Sequence, residues 1–169
     1  MCHSYMMPSR PAWNSVTQVL SVIGAACALG SGTMAFLTDL KGEGGLDING
    51  RTTIIGTIVN AVLSVLYIGI LSTVGSQFTQ VQYYFDPVGP TRGINDVASL
   101  SAFSGEAMPF TVATIACVLV AVLAAFLGKK SANWKVWGLV IAIAAFAGAI
   151  CLRVVFYHLG GSVFSFYDV

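Results

Sequence analysis

Few side chains in this chain have the chemistry for a site. There are two histidines, His3 and His158, four cysteines, Cys2, Cys27, Cys117 and Cys151, and an arginine, Arg153, set in the run Cys151-Leu152-Arg153-Val154-Val155-Phe156-Tyr157. Intramembrane haem needs axial ligands such as histidines facing each other at depth, and both histidines fall near one surface of the expected structure. Neither sits in a metal-ligand cluster, and no glycine-rich phosphate loop or catalytic triad motif is present. The cysteines are far apart, three lie in apolar runs and none forms a CxxC pair, so they read as small buried hydrophobes. The apolar runs carry no Asp, Glu, Lys or His at their centres, which weighs against a pump or ion-coupled transporter.

Arg153 is the most informative charge. It lies about one turn inside the end of an apolar run and is followed by Phe156, Tyr157 and His158. Three readings stand: a long side chain snorkelling to the headgroups, a partner for a carboxylate on a neighbouring subunit, or, with Tyr157 one helical turn on, a contact for a quinone head group.

The elements that hold these residues follow from composition. The 169 residues are 56% hydrophobic and only 9% charged, and the mean hydropathy is +0.82. Soluble domains carry roughly 25% charged residues, so lipid is the expected solvent. Four apolar blocks, about 15–37, 52–76, 109–128 and 134–157, are each long enough at about 1.5 Å per residue to cross a hydrocarbon core of about 30 Å. The fold class is therefore an all-α integral membrane bundle of four transmembrane helices in a single domain. Pro109 starts the third block, where its missing N–H does little harm. The Trp134-Lys135-Val136-Trp137 cluster starts the fourth as an interfacial anchor. Residues 39–51 read as a glycine-rich polar connector. Residues 77–107 are a long extramembrane loop with Tyr83, Tyr84, Phe85, Asp86 and Arg92, aromatic and charged groups of the kind that packs on another surface.

Eight Lys and Arg against seven Asp and Glu leave a net charge of +1, too little for nucleic-acid binding. Lys41, Arg51, Lys129, Lys130 and Lys135 collect on one side, which makes that side cytoplasmic and both termini outward. The alternative of a secretory signal in the first block is disfavoured by the length of its apolar run and by Arg10 as its sole basic flank. Small residues recur at four-residue steps: Gly24, Ala28 and Gly32, then Gly56, Asn60 and Ser64, then Ala144 and Gly148. Such steps let helices approach closely, with Asn60 as a hydrogen-bonding group between them.

Two segments suggest a family. Tyr5-Met6-Met7-Pro8-Ser9-Arg10-Pro11-Ala12-Trp13-Asn14-Ser15, followed at once by a spanning helix, resembles the mid-chain junction of the membrane-anchor subunits of dimethyl-sulfoxide-reductase-type complexes, and the ending from Cys151 to Tyr157 resembles their last helix. The resemblance covers nearly the whole chain but only the C-terminal half of an eight-helix family. It implies an anchor, or its C-terminal half, that holds a molybdopterin catalytic subunit and an iron–sulfur subunit to the bacterial cytoplasmic membrane. It also implies electron transfer from menaquinol without haem, and leaves room for a separate N-terminal half as partner. The family's quinol residues belong to the missing half, so none is carried over. The loop residues Tyr83, Tyr84, Phe85, Asp86 and Arg92 are then the expected surface for the iron–sulfur subunit, with an interfacial aromatic belt as the alternative.

Two other functions remain in competition. A transport or channel component requires a polar midplane or broken helices, and neither is evident in the sequence. A purely structural four-helix protein would show the same small-residue faces and no redox partner.

Overall fold

A computed structural model describes residues 12–13, 15–42, 47–73 and 101–160, and the description below concerns these. Four α-helices make up the bundle: α1 (Val16–Leu40), α2 (Asp47–Leu71), α3 (Met108–Ser131) and α4 (Trp134–His158). A 3-10 turn, Gly105–Ala107, leads into α3. Each helix is long and apolar enough to cross a membrane, with mean hydropathy of 1.7 to 2.7 over its best window. The chain is a multi-pass membrane protein. Its outward faces carry large apolar side chains such as Ile58, Leu119, Leu123, Phe126, Ile143 and Phe146. A bundle coated this way is stable only where lipid covers it.

The helices alternate in direction around a ring in which α1 packs on α2 and α4, and α3 packs on α4 and, less extensively, on α2. Two apolar clusters fill the ends. One joins Trp13, Tyr67, Leu71, Leu152, Phe156 and Leu159. The other joins Ala35, Ala121, Ala125, Trp134, Ile141 and Ala144.

Helix ends depart from the hydropathy reading. α1 runs on to Leu40, and α2 starts at Asp47, five residues before the apolar block, so much of the expected connector at 39–51 is helix. Hydropathy marks only what must sit in hydrocarbon, whereas the backbone keeps its hydrogen bonds beyond it. Asn49 fastens this extension by donating from Nδ2 to Thr38 Oγ1 at 2.8 Å. α3 likewise continues through Lys129 and Lys130, where positive charge suits a helix C-terminus. A left-handed Ala132 (φ 53°) then reverses the chain into α4. The first backbone N–H groups of α4 have no partner inside the helix. One of them, at Lys135, donates to Asp39 Oδ2 at 2.7 Å, so the carboxylate at the end of α1 caps α4.

Trp134 is not an anchor in the lipid interface. It is buried beneath the α3–α4 turn, so close that a Cβ on Gly128 would lie 2.7 Å from its ring. The cysteine reading also needs correction, since Cys27 is exposed on the outer face of α1 and Cys117 and Cys151 are only half-buried.

Candidate functional site

At the end opposite the lysines, the chain entering α1 is locked to the last turn of α4. Ser15 caps α1, its Oγ accepting from the Thr17 backbone N–H at 3.3 Å. Just before it, the Trp13 indole stacks on the Phe156 ring with centroids 5.0 Å apart and 11° between planes. The Trp13 Nε1–H donates to the Phe156 carbonyl at 3.1 Å. A Cβ at Gly160 would collide with the same indole, so glycine lets the chain leaving α4 pass beside Trp13. Arg153 places its guanidinium carbon 5.0 Å from the centroid of the same Phe156 ring. Stacking, a hydrogen bond and a cation–π contact thus converge on Phe156, which is 1% exposed.

Directly below this clamp, α1 and α4 part around a cleft of about 280 Å³. Its upper end holds the polar groups, Gln18 and Ser21 of α1, Tyr67 of α2 and Arg153 of α4, beside Leu152 and Phe156. Its lower end is apolar, formed by Val22, Ala25, Phe146, Ala149 and Ile150. Seven residue steps on each helix, from Gln18 to Ala25 and from Arg153 back to Phe146, set its length at about 10 Å. Val22, Phe146 and Ile150 are exposed, so the cleft opens sideways to lipid.

The polar end is under-satisfied. Gln18 and Tyr67 are each 1% exposed, yet Gln18 Nε2, Gln18 Oε1 and the Tyr67 hydroxyl have no hydrogen-bond partner. A buried polar group left unpaired costs on the order of 1–3 kcal/mol. No carboxylate pairs with Arg153 among the described residues. By contrast, Ser21 is satisfied, its Oγ donating to the Gln18 carbonyl at 2.7 Å. A cation and three buried, orphaned polar atoms on residues that line one cleft form a site able to take an amphiphile by its head.

Of the residues singled out from sequence, Arg153 lies in this cleft. Tyr157 does not: it is exposed and stands edge-on to Trp13 and Phe156, with centroids 6.2 and 5.2 Å away. Tyr83, Tyr84, Phe85, Asp86 and Arg92 lie outside the described residues. His158 stacks on Phe110 at 6.0 Å and approaches exposed Glu106 at 3.7 Å, an ion pair only when the imidazole is protonated. Among the described residues no group of His, Cys, Asp and Glu is arranged to hold a metal. Lys41, Arg51, Lys129, Lys130 and Lys135 do gather at the other end of the bundle, on the helix ends given above.

Sequence reasoning missed Gln18 and Tyr67, and it missed a buried polar line on α2. Asn49, Thr53, Thr57, Asn60 and Ser64 repeat at three- and four-residue steps and are all buried, so α2 does carry polar groups at mid-depth. Their hydroxyls mostly turn back on their own helix: Thr53 to the Asn49 carbonyl, Thr57 to the Thr53 carbonyl and Ser64 to Asn60 Oδ1. Thr53 also reaches across to the Ser31 carbonyl at 3.3 Å. Only the Thr53 bond in this line crosses to α1; Asn60, expected as a hydrogen-bonding group between helices, instead accepts from Ser64 of its own helix.

A family model described as "Protein of unknown function (DUF4064)" matches residues 47–151, from the start of α2 into α4. No curated protein and no solved structure matches the chain. Gln18 and Arg153 fall outside the matched segment, while Tyr67 and Phe146 fall inside it. With more than half of its length matched, the chain belongs to the DUF4064 family.

Proposed function

We propose that this DUF4064 protein is a membrane-anchor subunit, or the C-terminal half of one, of a quinol-linked molybdopterin oxidoreductase of the dimethyl sulfoxide reductase type. In this reading it tethers a molybdopterin catalytic subunit and an iron–sulfur subunit to the bacterial cytoplasmic membrane. Menaquinol is the electron donor of the assembled complex. Both termini face outward, as the basic residues at the opposite end favour.

The observation that carries the proposal is the meeting of Trp13 and Arg153 on the Phe156 ring. The two segments that resemble the anchor family stand at opposite ends of the chain, and their most distinctive residues stack together at one end of the bundle. Residues joined in this way serve one structural unit, which gives a physical reason for the two segments to occur together. That unit lies at the end of the bundle where α2 stops and α3 begins.

The test is a pull-down of the tagged chain from its native membrane in mild detergent, with identification of bound proteins and assay of molybdenum and iron. Both metals and both subunits are expected with it. A chain recovered alone, from cells that express the complex, overturns the anchor role. The transport reading would then lead, favoured by the polar line at mid-depth on α2.

A further inference from the structure

We propose that the cleft between α1 and α4 is a binding site for a single membrane phospholipid, with the phosphodiester held at Arg153, Gln18 and Tyr67 and an acyl chain laid against Val22, Ala25 and Phe146. The site does not depend on the anchor role, because every group in it belongs to this chain.

The head group follows from the groups that await it. The guanidinium carbon lies over the Phe156 ring, and its N–H donors make no hydrogen bond among the described residues, so they can serve a ligand. The Tyr67 O–H and the Gln18 amide add further donors, unpaired and buried. Several donors and one uncompensated cation call for an anion rich in acceptors, and a phosphodiester is both. A neutral quinone ring would accept hydrogen bonds but leave the positive charge unbalanced.

The tail follows from the axial order of the lining. The polar groups sit toward the end of the bundle and the lining below them, to a depth of about 10 Å, is apolar, the same order as headgroup and acyl chain in one leaflet. Free phosphate would leave the apolar half empty. A helix from a partner, about 10–12 Å across, does not enter a cleft of about 280 Å³. A phospholipid reaches the site by lateral diffusion, since Val22 and Phe146 are exposed at its mouth.

The experiment is native mass spectrometry of the full chain in detergent, titrated in separate arms with dioleoyl phosphatidylglycerol, inorganic phosphate and menaquinone. One tightly held phosphatidylglycerol is expected. Arg153→Gln should weaken it about tenfold or more, as loss of a charge-assisted hydrogen bond does, and Tyr67→Phe should weaken it about threefold or more. Circular dichroism checks that each variant folds. If Arg153→Gln does not, Ala149→Phe, which fills the apolar half and leaves every charge in place, should still abolish lipid binding. Equal lipid retention by the folded variants overturns the proposal. So does phosphate binding as tightly as the lipid, which would mark a soluble-anion site, or displacement of the lipid by equimolar menaquinone, which would mark a quinone site.

Discussion

Helices α1 and α4 run side by side for their full length, but they meet in two different ways. In the half near the lysines the backbones touch: a Cβ on Gly138 would stand 2.8 Å from the Phe36 nitrogen and 2.9 Å from the Gly32 carbonyl oxygen, and one on Gly32 would press on Ile141. In the other half the same helices carry Gln18, Val22, Phe146 and Arg153 and separate around the cleft, below the stacked Trp13 and Phe156. Small residues without polar atoms close an interface in lipid because close packing is the main attraction available there. Bulky and polar residues hold it open, and a membrane protein keeps unpaired polar atoms there at a cost to stability unless something fills the gap. The closed half holds the bundle together. The open half is where a ligand belongs.

The sharpest way to break this contrast is to force the closed half apart. Gly138→Leu puts a side chain against backbone on α1, which cannot rotate away as a side chain would. We expect a loss of about 3 kcal/mol or more, at the upper end of overpacking effects, read as a lower unfolding midpoint in detergent by circular dichroism. A loss under about 1 kcal/mol would show that the two helices slide freely and that the close contact is not structural.

Trp13→Ala tests the clamp above the open half. Trp-to-Ala changes in a core cost about 3–5 kcal/mol. Trp13 is only partly buried, so about 2 kcal/mol is expected, together with faster hydrogen exchange over residues 15–22 and none over 32–40. Equal acceleration in both halves would mean that the clamp holds the bundle as a whole.

How much of this contrast was legible in the sequence depends on the half. Gly32, at a four-residue step from Ala28 and Gly24, announced a close approach, and the four long apolar blocks gave the helix number. The helix ends were hidden by their own polarity: Asp47, Asn49 and Arg51 look like loop residues, yet α2 begins there and Asn49 is tied to Thr38. Trp134 looked interfacial beside Lys135, and only the packing of Gly128 against it shows that it is buried. Arg153 stood out as a charge near a helix end. Gln18 did not, because a polar residue at the start of an apolar run reads as its flank, and Tyr67 passed as one aromatic among several. What makes them a site is that three helices far apart in sequence bring them to one cleft, and no local spacing records that. In the sequence Tyr157 stands out by its helical distance from Arg153. Its neighbour Phe156 lines the cleft, however, while the Tyr157 ring is exposed and stands edge-on to Trp13 outside the lining.

The smallest expected effect is the most discriminating, because its sign changes. Tyr67→Phe removes only a hydroxyl that is buried and has no hydrogen-bond partner within the bundle. With no ligand bound, taking away a desolvated donor without disturbing packing should raise stability, by about 1 kcal/mol. If the hydroxyl meets a phosphodiester when the cleft is filled, the same substitution lowers stability in saturating phosphatidylglycerol, since the folded state then gains less from binding. Unfolding midpoints of the two proteins, measured without lipid and along a lipid titration, should therefore cross. Parallel curves with the variant always higher would show that the hydroxyl is never used. Parallel curves with the variant always lower would show that Tyr67 already has a partner inside the bundle and that the open half of the α1–α4 seam is as self-sufficient as the closed one.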